Sequence, residues 1–311
     1  MDKVYIIGGM AMDVEGRSYE KLVRGDSNPG VVHTSHGGVG RNITENLAHL
    51  GVDVGLVSVI GNDDSGRMLT RKLLSLGVDV DNVVILTGEK TAMYLSLLDA
   101  DGTLKDAIAS MDILAKLDIS MLRPLLPKLM KADIVGLDTN LSPETLEFLG
   151  SELAPHVTTF VDAVSAPKAA KLRGGLVGKF AIIKANRAEA EAITGIDTST
   201  EDGIRAAAEN MLEAGSKNIV ITMDSDGAYF KSASGSEGFV PPGAVSKVVS
   251  ITGAGDAFSA MTLYGYMQKW PPEKTMRYAT AMSSIVVQSP VPVPDDLTLE
   301  RVRSVAEQAH W

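Results

Sequence analysis

Short runs of apolar, often β-branched residues recur along the chain, and turn-forming or charged residues bound each of them. Such runs predict buried strands. They cover residues 4–7, 54–60, 83–86, 134–137, 157–161, 181–183 and 219–222. Between them apolar residues repeat at helical spacing, as Ile43, Leu47 and Leu50 do before Gly51. This alternation predicts an α/β fold, a three-layer sandwich in which helices cover both faces of a mostly parallel central sheet.

Two segments interrupt the alternation. Residues 11–36 contain several glycines and no helical period, and residues 91–109 favour two strands joined by a turn at 99–102. We predict that the two segments form one small β-sheet that projects as a lid over a site. Residues 1–10, 37–90 and 110–311 then form the body. The alternative is that the segments are two ordinary surface excursions.

Composition and charge limit the kind of partner. The chain has 311 residues, 45% of them hydrophobic, and a formal net charge of -10, so it can bury a large core and on average repels nucleic acid. It contains no cysteine, which excludes disulfides and thiolate chemistry. No apolar run approaches the roughly 20 residues that span a bilayer, and the N-terminal run is too short for a signal peptide. We therefore expect a soluble, cytoplasmic protein whose partner is a small molecule, and neither nucleic acid nor a membrane.

The stretch SITGAGDAFSA, residues 250–260, places small residues before a predicted helix. A strand is expected at 248–251, and Asp256 follows the small residues at the start of the helix. In such a turn successive backbone N–H groups converge on an anion, and the helix dipole adds partial positive charge. The turn therefore suits a phosphoryl group. The alternative is that Asp256 simply caps the helix.

A second glycine-rich turn, in SHGGVGRN, brings Gly37, Gly38 and Gly40 before the helix that carries Asn42. It lacks the lysine and hydroxyl of a Walker A loop and the third glycine of a dinucleotide-binding fingerprint, which argues against a nicotinamide-dependent oxidoreductase. Taken together, GGVGRN, KANRAEAE and TGAGD, in this order and with a predicted β-lid, resemble the ribokinase-like (pfkB) family of sugar kinases. The resemblance covers essentially the whole chain.

The resemblance implies an enzyme that transfers a phosphoryl group from ATP, with Mg²⁺, to a hydroxyl of a sugar or nucleoside. Asp256 would be the general base, and the backbone N–H groups of Gly253, Ala254 and Gly255 would form the anion hole. The other implied roles are sugar binding by Asp13, Gly38, Gly40 and Asn42, metal binding by Glu189, partly through water, and nucleotide binding by Lys184, Asn186, Thr222, Gly227, Thr252, Gly255 and Thr280.

The sequence departs from the family pattern at two places. Asp224 stands where the family's T-x-G-x-x-G loop has its first glycine, so the resemblance does not determine the backbone path there. Ser250-Ile251-Thr252 replaces the Asp-Thr-Thr that helps to form a monovalent-cation site in several members. The second departure leaves a potassium requirement open.

Segments outside the catalytic motifs resemble family members that act on pseudouridine, a C-nucleoside; they are DSNPG at 26–30, YLSLLD, DTNLSPETL and VDAVSAPK. The implied reaction is ATP-dependent phosphorylation of the ribose 5′-hydroxyl, giving pseudouridine 5′-phosphate and ADP. Ser27 and Asn28 in the lid and Asn140 in the body would then contact the uracil ring. The alternatives are a kinase of ribose, 2-keto-3-deoxygluconate, fructose, adenosine, uridine or cytidine, and a sugar or nucleoside sensor without activity.

The lid segment also suggests an assembly. Met93, Tyr94 and Leu95 alternate along a predicted lid strand, so that one face can pack over the substrate while the other meets a partner subunit. Because members of the family dimerise through their lids, the resemblance implies a homodimer.

Overall fold

The computed structural model describes residues 3–308, so the outermost residues of the predicted body, 1–2 and 309–311, lie outside the described range. Its strands are β1 Lys3–Ile7, β2 Ala11–Ser18, β3 Gly30–Gly37, β4 Asp53–Gly61, β5 Asp79–Leu86, β6 Ala92–Leu98, β7 Leu104–Ser110, β8 Ile134–Asp138, β9 Thr158–Asp162, β10 Ile182–Asn186, β11 Asn218–Thr222, β12 Ala228–Ser232 and β13 Glu237–Val240. Its helices are α1 Val39–His49, α2 Asp64–Ser75, α3 Ile119–Leu122, α4 Leu126–Leu129, α5 Pro143–Leu153, α6 Ala166–Ala169, α7 Arg187–Thr194, α8 Glu201–Glu213, α9 Ala254–Met267, α10 Pro272–Val286 and α11 Leu299–Gln308.

Nine strands form the central sheet, in the order β13-β12-β11-β10-β9-β8-β1-β4-β5. The strands from β11 to β5 run parallel, and β12 and β13 add an antiparallel edge. Apolar side chains alternate between two cores along β1, where Val4 and Ile6 face one side and Tyr5 and Ile7 face the other. Helices α1, α2 and α9 to α11 cover the first face, and α3 to α8 cover the second. The predicted three-layer α/β fold is confirmed.

Two of the predicted strands need correction. Residues 83–86 do form a strand, but β5 is the outermost strand of the sheet, and Ile85 is 58% exposed instead of buried. A β-branched run has the same appearance in an edge strand as in a central one. The prediction of a strand at 248–251 is wrong, because this segment is irregular and Ile251 is 77% exposed.

The two interrupting segments meet in one small sheet, as predicted, with the order β3-β2-β6-β7. β2 pairs antiparallel with β3 and parallel with β6, while β6 and β7 form a hairpin. The register places several apolar residues on one face, and four of them are exposed, Val32 by 69%, Met93 by 36%, Leu97 by 41% and Ile108 by 65%. Asp13 lies on the opposite face.

No helix among residues 3–308 is long and apolar enough to cross a membrane.

Candidate active site

The turn before α1 fits closely against the end of β1. A Cβ atom at Gly38, where φ is 91°, would lie 2.6 Å from the carbonyl oxygen of Gly9. A Cβ atom at Gly40 would lie 2.8 Å from the backbone of Gly8. Asp138, fully buried at the end of β8, accepts hydrogen bonds from the N–H groups of Gly9 at 2.7 Å and Gly40 at 2.9 Å. The glycines are therefore needed for close approach, and the Asp138 carboxylate joins the two segments.

Arg41 orients the neighbouring Asn42. The guanidinium is buried and donates to the carbonyl oxygens of Gly37 at 2.8 Å and His36 at 2.6 Å, and it pairs with Glu45 one turn along α1. It also donates to Oδ1 of Asn42. Because Arg41 holds the Oδ1 atom of Asn42, the Nδ2 group of Asn42 points away from Arg41.

Asp256 receives that amide. It lies in the first turn of α9, is 8% exposed, and its Oδ2 accepts a hydrogen bond from Nδ2 of Asn42 at 2.6 Å. It does not cap the helix, since the N-cap residue is Gly253 and no side chain caps the first turn. Burial, and then the carboxylate of Asp162, raise the pKa of Asp256 to about 7, against the opposing effect of the Asn42 hydrogen bond. A buried carboxylate with a pKa near neutrality is suited to act as a general base.

A buried ion pair adjoins Asp256. Lys184, in the middle of β10, lies opposite Asp162 at the end of β9 and places its Nζ 3.2 Å from Oδ2 of that residue. Burial acts to lower the pKa of Lys184, but the carboxylates of Asp162, Glu189 and Asp256 together raise it, so the ammonium stays charged. Asp162 is held in turn by the hydroxyl of Ser259, which donates to its Oδ2 at 2.6 Å.

The backbone N–H groups of residues 253–256 are largely unused. Among them only the N–H of Ala254 has a partner within the described range, the carbonyl oxygen of Ile251 at 3.3 Å. A Cβ atom at Gly255 would lie 3.0 Å from Nζ of Lys184, so the ammonium borders this turn. Unused N–H groups at a helix N-terminus and a buried cation together stabilise negative charge. The turn with the predicted anion-hole residues Gly253, Ala254 and Gly255 therefore adjoins both the Asp256 carboxylate and the Lys184 ammonium.

Asn186 and Glu189 begin α7 with a capping box. The side chain of Asn186 accepts from the N–H of Glu189 at 2.9 Å, and Glu189 accepts from the backbone N–H of Asn186 at 2.7 Å and from its Nδ2 at 2.8 Å. Glu189 is 2% exposed. Burial raises its pKa, and Lys184 opposes this. The Glu189 carboxylate is therefore held by Asn186 within electrostatic reach of the Lys184 ammonium.

The loop after β11 has an unusual backbone. Asp224 has a φ of 50°, in the left-handed region that favours glycine and that Asp tolerates better than most residues. Gly227 has a φ of 90°, and a Cβ atom there would lie 2.0 Å from the carbonyl oxygen of Val240. The backbone at position 224 thus has the conformation that a glycine favours. Thr222, at the end of β11, precedes this loop.

Two residues assigned to the nucleotide make only local hydrogen bonds. Thr252 is exposed, and its N–H donates to Oγ of Ser250 at 3.2 Å. Thr280 is buried within α10, and its hydroxyl donates to the carbonyl oxygen of Arg277 at 2.9 Å. Their contacts with a nucleotide stay predictions.

The residues assigned to the substrate lie in different places. Asp13, on β2, borders the α1 turn, because a Cβ atom at Gly37 would lie 2.3 Å from its Oδ1. Burial raises the pKa of Asp13 to about 6, and the nearby Arg41 opposes this.

Ser27 and Asn28 lie in the exposed loop between β2 and β3. Asn28 uses its amide within that loop, where Oδ1 accepts from the N–H of Val23 at 2.7 Å and Nδ2 donates to the carbonyl oxygens of Val23 and Asp26, each at 3.0 Å. Their contacts with a base also stay predictions.

Sequence reasoning missed three residues of this site, namely Arg41, Asp138 and Asp162. The two aspartates had a recognisable signal, since each ends a buried strand of a parallel sheet, where ligands usually bind. Arg41 had none, because an arginine beside Asn42 is as compatible with solvent exposure as with burial.

Comparison with known proteins identifies the family. A family model described as pfkB family carbohydrate kinase matches residues 1–295. The pseudouridine kinase of Escherichia coli (strain K12) is 36% identical over 308 residues, which are 99% of this chain and 97% of that protein. The guanosine-inosine kinase of Exiguobacterium acetylicum is 30% identical over 291 residues, which are 93% of this chain and 95% of that protein.

A solved structure has the same fold. Arabidopsis thaliana ribokinase, complexed with ribose and ATP, matches this chain with a TM-score of 0.89 over 99% of each chain, at 21% identity. The fold is therefore ribokinase-like. The chain belongs to the pfkB family of carbohydrate kinases and is a phosphotransferase that acts on a hydroxyl of a sugar or nucleoside.

Proposed function

We propose that this protein phosphorylates the ribose 5′-hydroxyl of pseudouridine with ATP, giving pseudouridine 5′-phosphate and ADP. The observation that carries the proposal is the buried Asp256, held by Asn42 and placed at a turn whose backbone N–H groups are largely unused. The 36% identity to a pseudouridine kinase over almost the whole chain supports this choice of substrate.

In this proposal the chemistry is a direct, in-line transfer. Asp256 accepts the proton of the 5′-hydroxyl as the oxygen attacks the γ-phosphorus, and the bond from that phosphorus to the β–γ bridging oxygen breaks. Asn42 keeps the carboxylate in place. The N–H groups at residues 253–256 and the Lys184 ammonium stabilise the charge that develops on the transferred group.

The residues around Lys184 fit a magnesium nucleotide. Mg²⁺ prefers oxygen ligands and keeps several waters, and Glu189 offers a buried carboxylate whose two oxygens each accept one hydrogen bond from Asn186. Each of these oxygens retains a lone pair for a water of the ion. When bound, the ion neutralises charge on the phosphates. Glu189 is therefore the residue that would hold it, through water.

The decisive experiment measures ADP release with candidate substrates. We expect turnover of pseudouridine to exceed that of uridine, cytidine, adenosine, guanosine, inosine, ribose, fructose and 2-keto-3-deoxygluconate. Guanosine and inosine belong in the set because of the Exiguobacterium acetylicum relative. A better substrate among the others would replace pseudouridine in the proposal, and no turnover of any of them would favour a sensor.

Asp256→Asn tests the role of the base. The substitution keeps the shape and the Asn42 contact, so binding should persist while kcat falls by about 10³-fold. Asp202→Asn, at an exposed position of α8, is the control and should leave kcat unchanged. Near-normal turnover by Asp256→Asn would refute the assignment.

We also propose that the small sheet closes over the substrate and joins two chains. Its polar face carries Asp13, while the opposite face exposes Val32, Met93, Leu97 and Ile108. An unpaired apolar sheet face of this kind is typical of an interface.

Light scattering at assay concentration should therefore give twice the 32.9 kDa mass of the chain. Ile108→Lys should yield a monomer, whereas Leu74→Lys, on the exposed side of α2, should remain a dimer. A monomeric wild-type protein would overturn the proposed assembly.

A further inference from the structure

Lys168 lies near the substrate side of the sheet but has no role in the phosphoryl-transfer site. It belongs to α6, directly after β9, and the neighbouring β8 and β1 end at the same edge of the parallel sheet. Its Nζ donates to Oδ1 of Asn140 at 2.5 Å. Nδ2 of Asn140 lies 3.1 Å from the position of a Cβ atom at Gly9, next to the α1 turn.

Asn140 is held from both ends. Its backbone N–H donates to Oδ1 of Asp138 at 2.9 Å, and its side-chain amide also helps to keep the pKa of that carboxylate from rising further with burial. Its Oδ1 is occupied by Lys168. The Asn140 amide therefore links Asp138 to Lys168, which leaves it less free for a direct contact with a ligand than the sequence suggests.

Lys168 itself has unused hydrogen-bonding capacity. An ammonium has three N–H donors, and one of the three is used on Asn140. Within residues 3–308 no carboxylate lies at ion-pair distance from Lys168, although it is partly buried. Burial lowers its pKa, and the charge of Asp138 opposes this. A partly buried ammonium without an acidic partner is costly unless a ligand supplies acceptors.

The backbone leading to Lys168 is strained. Val164 has a φ of 65°, which is unfavourable for a β-branched residue, and its N–H donates to Oδ1 of Asp162 at 2.9 Å. Such outliers persist where the surrounding structure requires them, often at ligand sites. The strained turn directly connects Asp162, which adjoins Asp256, to the start of α6.

We propose that Lys168 is a specificity-determining residue that donates a hydrogen bond to a ring carbonyl oxygen of the base, with Asn140 as its positioning residue. A neutral carbonyl fits better than a phosphate group, because the nearby Lys171 uses its ammonium on the carbonyl oxygens of Thr139 and Leu141, both at 2.9 Å. With the Lys171 ammonium already used, the Lys168 ammonium alone is available, and one such group suits a neutral acceptor better than a charged phosphate. This inference rests on the proposed function, since it requires a substrate that carries a base.

The test compares substrates with and without a base. For Lys168→Met, KM for pseudouridine should rise about 10- to 100-fold, the size expected for loss of one charge-assisted hydrogen bond, with kcat within about twofold. KM for ribose should stay unchanged. Lys168→Arg, which keeps a donor and the charge, should recover most of the loss, and thermal melting should verify that each variant is folded.

Lys171→Met is the matched control. It removes a positive charge from the same region without touching the Asn140 side chain, so KM for pseudouridine should change less than about threefold. An equal effect of the two variants would mean that general electrostatic attraction, and not a contact with the base, is responsible. Asn140→Ala should raise KM by an intermediate amount, because Lys168 keeps its charge but loses its anchor.

The outcomes separate this inference from the proposed function. If the wild-type protein prefers another nucleoside, the proposed substrate is wrong, and Lys168→Met is then measured with that nucleoside against ribose. A selective loss with the nucleoside supports the role of Lys168. An equal loss with both substrates, no loss, or a wild-type protein that accepts only sugars without a base would overturn it.

Discussion

Asp256 makes the activity depend on pH near neutrality. Its pKa is raised to about 7 by burial and by Asp162, and only the deprotonated form accepts a proton. We expect kcat/KM to be constant above this pH and to fall about tenfold per unit below it. A pH profile of kcat/KM measures this directly, because it reports groups of the free enzyme.

Asp162→Asn provides the comparison for that profile. Removing the neighbouring carboxylate should move the acidic limb to lower pH, since Asp162 is the second cause of the raised pKa. A profile that is flat between pH 5.5 and 8 in the wild type would show that Asp256 is not the base.

The orientation of Asn42 gives a second prediction. Arg41→Met removes the donor that holds Oδ1 of Asn42 and takes from the buried Glu45 one of its two cations, so that only Lys72, at 3.4 Å, remains. We expect kcat to fall at least tenfold and the free energy of unfolding to fall by about 1–3 kcal/mol, because Lys72 still compensates part of the Glu45 charge. Urea unfolding and steady-state kinetics measure the two effects.

The double variant Arg41→Met/Glu45→Met separates them. Replacing both members of a buried ion pair by apolar residues often restores stability. Activity should stay low, because the Asn42 amide remains unanchored. Recovery of full activity together with stability would show that Arg41 has only a structural role.

The residues that the structure brings together were predictable where a short motif contains them and not where distant segments meet. Asp256 and Asn42 stand in glycine-rich turns, and the family resemblance rests on these turns. Asp138, by contrast, acts on Gly9, 129 positions away in the chain. No local pattern reveals such a contact, because it depends on the order of strands in the sheet.

At the scale of elements, the start of α9 depends on one glycine. Gly253 has a φ of 85°, and a Cβ atom there would lie 2.3 Å from the carbonyl oxygen of Pro292. Gly253→Ala should therefore cost about 1–3 kcal/mol of stability and at least tenfold in kcat, since the turn must shift. Thermal unfolding and kinetics measure both.

Gly235→Ala is the matched control for this change. Gly235 has a similar φ of 94°, but a Cβ atom there meets nothing within 4 Å. This variant should lose about 1 kcal/mol from backbone strain alone and retain full activity. If the two variants lose activity equally, the close contact at Gly253 is not the cause.

Strands were predictable where an uninterrupted apolar run carries them. The central strands have apolar runs because helices cover them on both faces, whereas β12 and β13, in the antiparallel part of the sheet, contain charged or small residues that interrupt such a run. The run at 248–251 is apolar but forms no strand, and its three apolar residues, Val248, Val249 and Ile251, are exposed.

At the scale of the whole molecule, the fold brings the site residues to one edge of the central sheet. Three adjacent strands carry Lys184, Asp162 and Asp138: β10 holds Lys184, while Asp162 and Asp138 end β9 and β8. The sequence predicts a parallel sheet, but it does not predict the strand order that makes these three side chains neighbours. The family resemblance implied the type of fold but not the neighbours of each side chain, which is why the fold was predicted better than the electrostatic environment of the site.

The small sheet is built from two separate parts of the chain, and this affects how its specificity can be exchanged between relatives. β2 and β3 come from one part, β6 and β7 from the other, and the parallel pairing of β2 with β6 joins them. A chimaera that receives only one part would have to pair β2 of one protein with β6 of the other in the middle of the sheet. Transplanting both parts together is therefore the smallest exchange that moves this sheet as an intact module.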